Sequence, residues 1–208
     1  MQYSYIFSNF ARVLRISMLY IKTFYCNPYR ECTYILTALE PTETSKPCLI
    51  IDPGMYGEKE EKRVLNFLEE HHLTPAAILI THRHPDHVCG LECLQAQFPD
   101  IPLYGFSYTM PDSEDMPITL AGLTFRVLRT PGHKEDSVCY YFEADNVLFT
   151  GDTLFMEGVG RTDLPGGDYV TLCQSLKRLK TLPENTNVYA GHGYPTSIAH
   201  EKKYNPYL

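Results

Sequence analysis

The sequence contains no apolar run approaching the roughly 18 residues of a transmembrane helix, no excess of positive charge and no low-complexity tract. Without such a run we expect no membrane partner. The formal net charge of −7 gives no basic field that would attract a phosphate backbone, so we expect no nucleic-acid partner. The remaining composition, 44% hydrophobic and 21% charged, is that of a globular protein with a sizeable core.

A CxxC pair is also absent, although the chain has seven cysteines. An odd number of scattered cysteines favours reduced, mostly buried thiols in a cytoplasmic protein over a disulfide framework. Cys89 lies near the histidine motif described below and could line a site, but packing is the better interpretation of that residue.

The first 17 residues, MQYSYIFSNFARVLRIS, contain no acidic residue and have apolar residues at helical spacing. This pattern resembles a transit peptide or a surface helix. The simpler interpretation is that Met18 is the functional start. We therefore expect residues 1–17 to be an extension, disordered or not native, and residues 18–208 to form one domain.

The chemistry-bearing stretch is THRHPDHVCG, residues 81–90. Three histidines and one aspartate fall within it at close spacing: His82, His84, Asp86 and His87. The apolar run Ala76–Ile80 follows Pro75 and is typical of a buried strand. Because Pro85 disfavours a helix through the motif, we expect a loop at the end of that strand. Imidazole and carboxylate groups together are ligands for zinc, iron or manganese, and a surface histidine-rich loop is a poor alternative for four of them.

Three later turns each place a polar residue after an apolar run. His133 follows the strand pattern Leu123–Leu128, Asp152 follows VLF, and His192 follows the pattern Asn187–Ala190. A glycine beside each residue permits close backbone approach. Taken singly, each histidine is more often a hydrogen-bonded loop residue, and Asp152 is compatible with a helix cap. Together with the first motif, however, they make five histidines and two aspartates at strand ends.

The hydrophobic pattern predicts strands before and after interleaved amphipathic helices. Predicted helices cover 58–72, 90–98, 169–182 and 196–204, and the segment 108–117 is predicted to be a loop. A hairpin is predicted around Ala144 and Asp145. The pattern favours an α/β (α+β) fold in which two sheets pack together with helices outside.

The motif HxHxDH, followed by TPGH, GDTLF and GHG, resembles the metallo-β-lactamase superfamily and within it the glyoxalase II group of hydroxyacylglutathione hydrolases. The match runs from about Leu19 to the end of the sequence. It implies a four-layer αββα sandwich with two divalent metal ions at one edge. Zinc is the metal expected first, although the same ligands accept iron or manganese.

By this resemblance, each ion would have its own ligands. His82, His84 and His133 would hold the first ion, and Asp86, His87 and His192 the second. Asp152 would bridge both. Two adjacent dications lower the pKa of a shared water and polarise a carbonyl, which suits hydrolysis of a thioester. Asp86, near that water, would orient it or take its proton.

The segment GVGRTDLPGGD, residues 158–168, resembles small glyoxalase II-like hydrolases and also persulfide dioxygenases. Arg161 stands where two-domain glyoxalase II enzymes carry a basic glutathione-binding residue, so it is the predicted substrate-binding residue. An internal salt bridge from Arg161 to Asp163 or Asp168 is an equally good interpretation. The ending EKKYNPYL leaves no room for the C-terminal helical domain of those enzymes, so another thioester or ester is a second prediction for the substrate.

The leading hypothesis is a binuclear hydrolase of S-(2-hydroxyacyl)glutathione, with a small-molecule thioester as its partner. The runner-up is a persulfide dioxygenase with one iron held by His82, His133 and Asp152. A lactonase or nuclease of the same superfamily is a third hypothesis, and the acidic charge weighs against the nuclease. A structural metal site is disfavoured because such sites are usually closed and rich in cysteine. No feature of the sequence indicates an oligomeric state.

Overall fold

The computed structural model describes residues 19–38, 45–110, 113 and 116–208, so the predicted extension 1–17 lies outside the described residues. Its first sheet has five strands in the order of the chain. These are β1 (Leu19–Cys26), β2 (Glu31–Ala38), β3 (Lys46–Ile51), β4 (Leu73–Leu79) and β5 (Leu103–Tyr104). The helices of this half are α1 (Glu58–Glu70), α2 (Pro85–Val88) and α3 (Leu91–Gln97).

The second sheet has six strands in the order β13-β12-β9-β8-β7-β6. Its elements are β6 (Ile118–Leu120), β7 (Leu123–Arg129), β8 (Val138–Phe142), β9 (Val147–Gly151), β12 (Asn187–Ala190) and β13 (Thr196–Ser197). Between β9 and β12 lie a short hairpin, β10 (Leu154–Phe155) with β11 (Gly158–Val159), and helix α4 (Tyr169–Leu179). Helix α5 (Ile198–Tyr204) follows β13.

Three separate hydrophobic cores account for the layers. The central core lies between the sheets and joins Tyr34 and Leu49 of one to Phe125 and Phe149 of the other. A second core packs the outer face of the first sheet against apolar residues of α1 and α3, and a third packs the outer face of the second sheet against α4 and α5. Alternation along each strand sends successive side chains to different cores. The predicted αββα sandwich is confirmed.

The two sheets are also joined by hydrogen bonds at one edge. The amide of Val138 donates to the carbonyl of Thr81 over 2.8 Å, and the amide of Cys32 donates to the carbonyl of Gly191 over 2.8 Å. The hydroxyl of Tyr34 donates to the carbonyl of Ala190 over 2.6 Å. These bonds hold the end of β4 against β8 and the end of β12 against β2, where the polar turns begin.

Several predicted boundaries were wrong. Pro75 lies inside β4, where the ladder between β3 and β4 shifts register at Cys48 and Leu49. Pro85 begins the one-turn helix α2 instead of excluding a helix. A proline is tolerated at the first helical position because its missing N–H has no partner there anyway. The predicted hairpin around Ala144 is present, with the 3-10 turn Glu143–Asp145 between its strands.

The seven cysteines are all free thiols, as predicted. The thiol of Cys89 donates a hydrogen bond to the carbonyl of Gly54 over 3.1 Å. No contact of Cys89 with the histidines of the HxHxDH motif is found among the described residues. Within the described ranges, no helix is both long and apolar enough to cross a membrane.

Candidate metal centre

Strand directions bring the predicted ligands to one edge. β9 and β12 are parallel, and β7 runs in the same direction as β9 because each of them pairs antiparallel with β8. The carboxyl ends of β7, β9 and β12 therefore meet at the same edge of the sheet, and the turns that follow them carry His133, Asp152 and His192. The loop and helix after β4 bring the HxHxDH motif to this edge.

Three imidazoles form the first cluster: His82, His84 and His133. The Nδ1 atom of His84 lies 3.1 Å from Nε2 of His82 and 2.8 Å from Nε2 of His133. His82 and His133 are buried, whereas His84 is half-buried at the cavity wall. Three nitrogens facing one point in this way are a ligand set for one ion.

Asp86, His87 and His192 form the second cluster. Nε2 of His192 lies 3.2 Å from the Asp86 carboxylate, and Nε2 of His87 lies 3.9 Å from the same carboxylate. Asp86 and His87 occupy consecutive positions of helix α2, so their side chains leave the helix in different directions. Each approaches the cluster from its own side. This set too fits one ion.

Asp152 lies between the two clusters. Its Oδ2 is 3.6 Å from Nε2 of His133 and 3.6 Å from Nε2 of His192, while its Oδ1 is 3.3 Å from Nε2 of His87. Within the described chain, Oδ1 of Asp152 and Nε2 of His87 are buried and have no hydrogen-bond partner. Buried polar atoms without a partner are costly, and a cation between the two would satisfy both. The residues therefore fit a pair of bound metal ions.

The outward nitrogens of four imidazoles are held by hydrogen bonds. His87 donates from Nδ1 to Asp52 over 2.9 Å, His133 donates to the carbonyl of Arg161 over 2.7 Å, and His192 donates to the carbonyl of Tyr29 over 3.1 Å. His82 Nδ1 lies 3.1 Å from the hydroxyl of Thr81. Each bond fixes the tautomer that leaves Nε2 free as a ligand.

Asp52 contacts His87 of the second cluster directly and reaches His82 of the first cluster through the hydroxyl of Thr81. It is buried, and it accepts from the amide of Thr81 over 2.7 Å and from the hydroxyl of Thr81 over 2.5 Å, in addition to His87. Asp52 was assigned no role in the sequence analysis. The signal was present, because Asp52 follows an apolar run in the same way as the predicted ligands do.

Close packing around the ligands leaves no space for a side chain at several glycines, among them Gly191 and Gly151. A side-chain carbon at Gly191 would overlap the Asp152 carboxylate and the ring of His87. At Gly151, where φ is +49°, it would overlap Thr81. Both glycines let the backbones of β9 and β12 approach the clusters directly.

The clusters differ in their electrostatics. Burial and the neighbouring imidazoles lower the pKa of His82 well below its usual value, and they lower that of His84 as well. Burial acts in the same direction on His87 and His192, but aspartates outweigh it: Asp152 and Asp52 raise the pKa of His87, and Asp86 and Asp152 raise the pKa of His192. Burial opposes ionisation of Asp86, yet the hydrogen bond from His192 and the charge of His87 lower its pKa to about 2.

A cavity of about 540 Å³ opens onto the clusters. Its walls include the exposed Tyr29 and Leu164, together with Arg161. The guanidinium of Arg161 forms two hydrogen bonds of 2.7 Å each to Asp163. The structure thus places Arg161 at the cavity and also in the predicted internal salt bridge with Asp163.

Sequence and structure comparisons agree with this geometry. A model of the metallo-beta-lactamase superfamily matches residues 39–105 and 110–192. A probable metallo-hydrolase of Bacillus subtilis, YqgX, is 36% identical over 77% of this chain and 87% of its own length. The hydroxyacylglutathione hydrolase of Hahella chejuensis is 40% identical over 71% of this chain but only 58% of its own length.

Three crystal structures have similar folds. The BLEG-1 B3 metallo-beta-lactamase has a TM-score of 0.81 at 31% identity, covering 91% of this chain and 99% of that one. ETHE1 from Myxococcus xanthus has a TM-score of 0.77 at 31% identity, covering 90% of this chain and 83% of that one. TTHA1623, solved in a di-iron-bound form, has a TM-score of 0.73 at 32% identity, covering 91% of this chain and all of that one.

Proposed function

This chain belongs to the metallo-β-lactamase superfamily, and from that premise we propose that it is a binuclear metal-dependent hydrolase of thioesters of the S-(2-hydroxyacyl)glutathione type. The observation that carries the proposal is the position of Asp152, whose two oxygens face both histidine clusters. One carboxylate between two ligand sets is the arrangement by which a protein holds two ions side by side.

In the proposed site His82, His84 and His133 would hold one ion, Asp86, His87 and His192 would hold the other, and Asp152 would be shared by both. The ions, when bound, lower the pKa of water and polarise the thioester carbonyl. Zinc is the expected metal, with iron or manganese as alternatives for the same ligands.

Asp86 has a second role in this proposal. It lies in the cavity wall, and the structure holds its carboxylate 3.2 Å from His192. Because its pKa is about 2, the carboxylate is ionised at neutral pH and can accept a hydrogen bond from a water molecule. This orients the attacking water toward the carbonyl. The leaving thiolate is stable enough that no general acid is required.

The proposed substrate class rests on the cavity and on the relatives. Tyr29, Pro85 and Leu164 give the cavity apolar walls that suit an acyl chain and a thioether stem. Hydroxyacylglutathione hydrolases are among the similar proteins, but the matched region spans 58% of the length of the Hahella chejuensis protein. Arg161 remains the proposed contact for a substrate carboxylate only if its pair with Asp163 opens. Free thiols at all seven cysteines support the proposed cytoplasmic location.

The test is hydrolysis of S-D-lactoylglutathione by purified protein, with the metal content measured on the same sample. We expect rapid turnover with about two metal ions per chain. If the protein hydrolyses only other thioesters, its substrate is not a thioester of glutathione. The competing function, a persulfide dioxygenase, predicts about one iron held by His82, His133 and Asp152, no hydrolysis, and oxygen uptake with glutathione persulfide.

A further inference from the structure

The turn that joins β1 to β2, residues 27–30, contacts the second ligand cluster through the bond between Tyr29 and His192. Asn27 begins this turn with φ +49°, a conformation that asparagine adopts more readily than most residues do. Its Oδ1 accepts a hydrogen bond of 3.0 Å from the amide of Tyr29. Both features are typical of a turn-forming asparagine, and neither uses the Nδ2 group of the side chain.

The Nδ2 group of Asn27 is directed out of the turn. It donates one hydrogen bond of 2.9 Å to the main-chain carbonyl of Asp86 and another of 3.0 Å to the carbonyl of Gly54. These two residues lie 59 and 27 positions away from Asn27 in the chain. A side-chain amide has two N–H donors, so both donors serve contacts outside the turn. The turn is thereby joined to helix α2, which carries Asp86 and His87.

The same side chain also leads to His192. The amide of Tyr29 is bound to Oδ1 of Asn27, and the carbonyl of Tyr29 accepts from Nδ1 of His192 over 3.1 Å. On its other side, Nε2 of His192 lies 3.2 Å from the Asp86 carboxylate. Asp86 follows a strand of the first sheet, whereas His192 follows a strand of the second. Asn27 therefore links two ligands of the second cluster that come from different halves of the fold.

The main chain of the turn has its own attachment. Oε2 of Glu60, in α1, accepts a hydrogen bond of 2.8 Å from the amide of Asn27 and another of 2.8 Å from the amide of Tyr56. This attachment does not involve the Asn27 side chain. Removal of the side chain should therefore alter the alignment of the ligands while the turn stays in place.

We propose that Asn27 is a positioning residue for the second ion. Its amide group holds the main chain of Asp86 and, through Tyr29, the ring of His192, so that both ligands face one point. None of the described hydrogen bonds of Asn27 reaches the first cluster. The effect should therefore be confined to one ion. The proposal rests on the two-ion site of the proposed function.

The experiment is a titration of the apoprotein with Co²⁺, whose visible absorption depends on the geometry of its ligands. Asn27→Gly removes the amide group and still permits a positive φ. We expect the affinity for the second ion to fall about tenfold, the affinity for the first to change less than about twofold, and the absorption of the second ion to change shape. The spectrum of His192→Ala, which lacks a ligand of the second cluster, identifies the absorption of the first ion.

Asn146→Gly is the matched control. Asn146 also has a positive φ, +52°, and it follows the 3-10 turn between β8 and β9, outside the lining of the metal-centre cavity. Replacement by glycine has the same effect on the backbone at both positions, so a difference between the two variants is due to the side chain. If Asn27→Gly does not fold, Asn27→Ala is compared with Asn146→Ala, because the strain of alanine at positive φ is similar at both sites.

Two results would overturn the role of Asn27 alone. One is an unchanged affinity for the second ion, and the other is an equal loss of both ions together with a melting temperature below that of Asn146→Gly. Uptake of a single Co²⁺ by the wild-type protein would overturn the two-ion site and the role of Asn27 with it. Two bound ions without hydrolysis of any thioester would reject the proposed reaction, and the titration would still decide the role of Asn27.

Discussion

The two ligand clusters contain similar groups in opposite electrostatic surroundings. His82 and His84 face other imidazoles, and their pKa values are lowered, whereas His87 and His192 face aspartates, and their pKa values are raised. The hydrogen-bond partners differ in the same way. A hydroxyl and a carbonyl contact the histidines of the first cluster, whereas those of the second contact a carbonyl and, directly, the Asp52 carboxylate. His82 and His84 therefore favour the neutral form that binds a cation, whereas His87 and His192 would release protons when they bind one.

The largest effect is expected for a variant that removes the side chain shared by the two clusters. Asp152→Ala deletes the carboxylate that both clusters contact, so both ions should be lost and kcat/KM should fall by more than about a thousandfold. Metal analysis and hydrolysis assays measure this directly. Asp100→Ala, at an exposed aspartate outside the cavity, serves as the control. Full metal occupancy in Asp152→Ala would refute the bridging assignment.

A pair of variants tests whether the clusters hold separate ions. His192→Ala should lower the metal content from about two ions to about one, and His84→Ala should weaken the other ion, because the two side chains lie in different clusters. The loss of activity in each is expected to be about a hundredfold or more. Activity that survives in His192→Ala would favour a mechanism with one iron. Loss of both ions in each variant would show that the clusters do not act separately.

The variant Asp52→Asn tests the carboxylate that accepts a hydrogen bond from His87 of the second cluster. Its amide cannot accept from Thr81 at both oxygens and from His87, so one buried donor loses its acceptor. We expect affinity for the second ion to fall by about 10- to 100-fold, with a smaller effect on the first ion. Metal titrations with the purified apoprotein measure both affinities. Equal weakening of the two ions would indicate that Asp52 acts through Thr81 and His82.

The smallest effect concerns pH. A metal ion binds the neutral imidazole, so a raised pKa means that protons displace the ion at higher pH, and a lowered pKa delays this displacement. On acidification the ion of the Asp86, His87 and His192 cluster should leave first, with a midpoint at a higher pH than that of the other ion. Metal content measured after equilibration across pH 4–7 gives the two midpoints. Release of both at one pH would mean that bound metal removes the asymmetry.

The candidate metal ligands could be predicted from the sequence because strand ends and polar residues next to glycine are local signals. His133, Asp152 and His192 each lie in a turn that follows an apolar strand, and the structure brings all three together at one edge. The pattern could not reveal that the carbonyls of Tyr29 and Arg161 fix the outer nitrogens of two histidines, because every residue has a carbonyl and only the tertiary fold selects these two.

The layers of the fold could be predicted from the sequence, but the pairing of its short strands could not. Period-two and helical patterns identify the long elements, including α1, whose apolar residues Val64, Phe67 and Leu68 lie on one face. The strands β6, β10, β11 and β13 have three residues or fewer, which is too short for a period to be detected. The helix predicted for 196–204 was wrong at its start, because Thr196 and Ser197 first pair with β12.

The hydrogen bond between Tyr34 and Ala190 joins residues 156 positions apart in the chain. Contacts of this length form slowly, since the ends of a long segment must find each other before any gain is realised. During synthesis the first cluster has all of its histidines once His133 has been made, but the second is incomplete until His192 emerges. The second cluster is therefore complete only when the last strands of the second sheet have joined the first sheet.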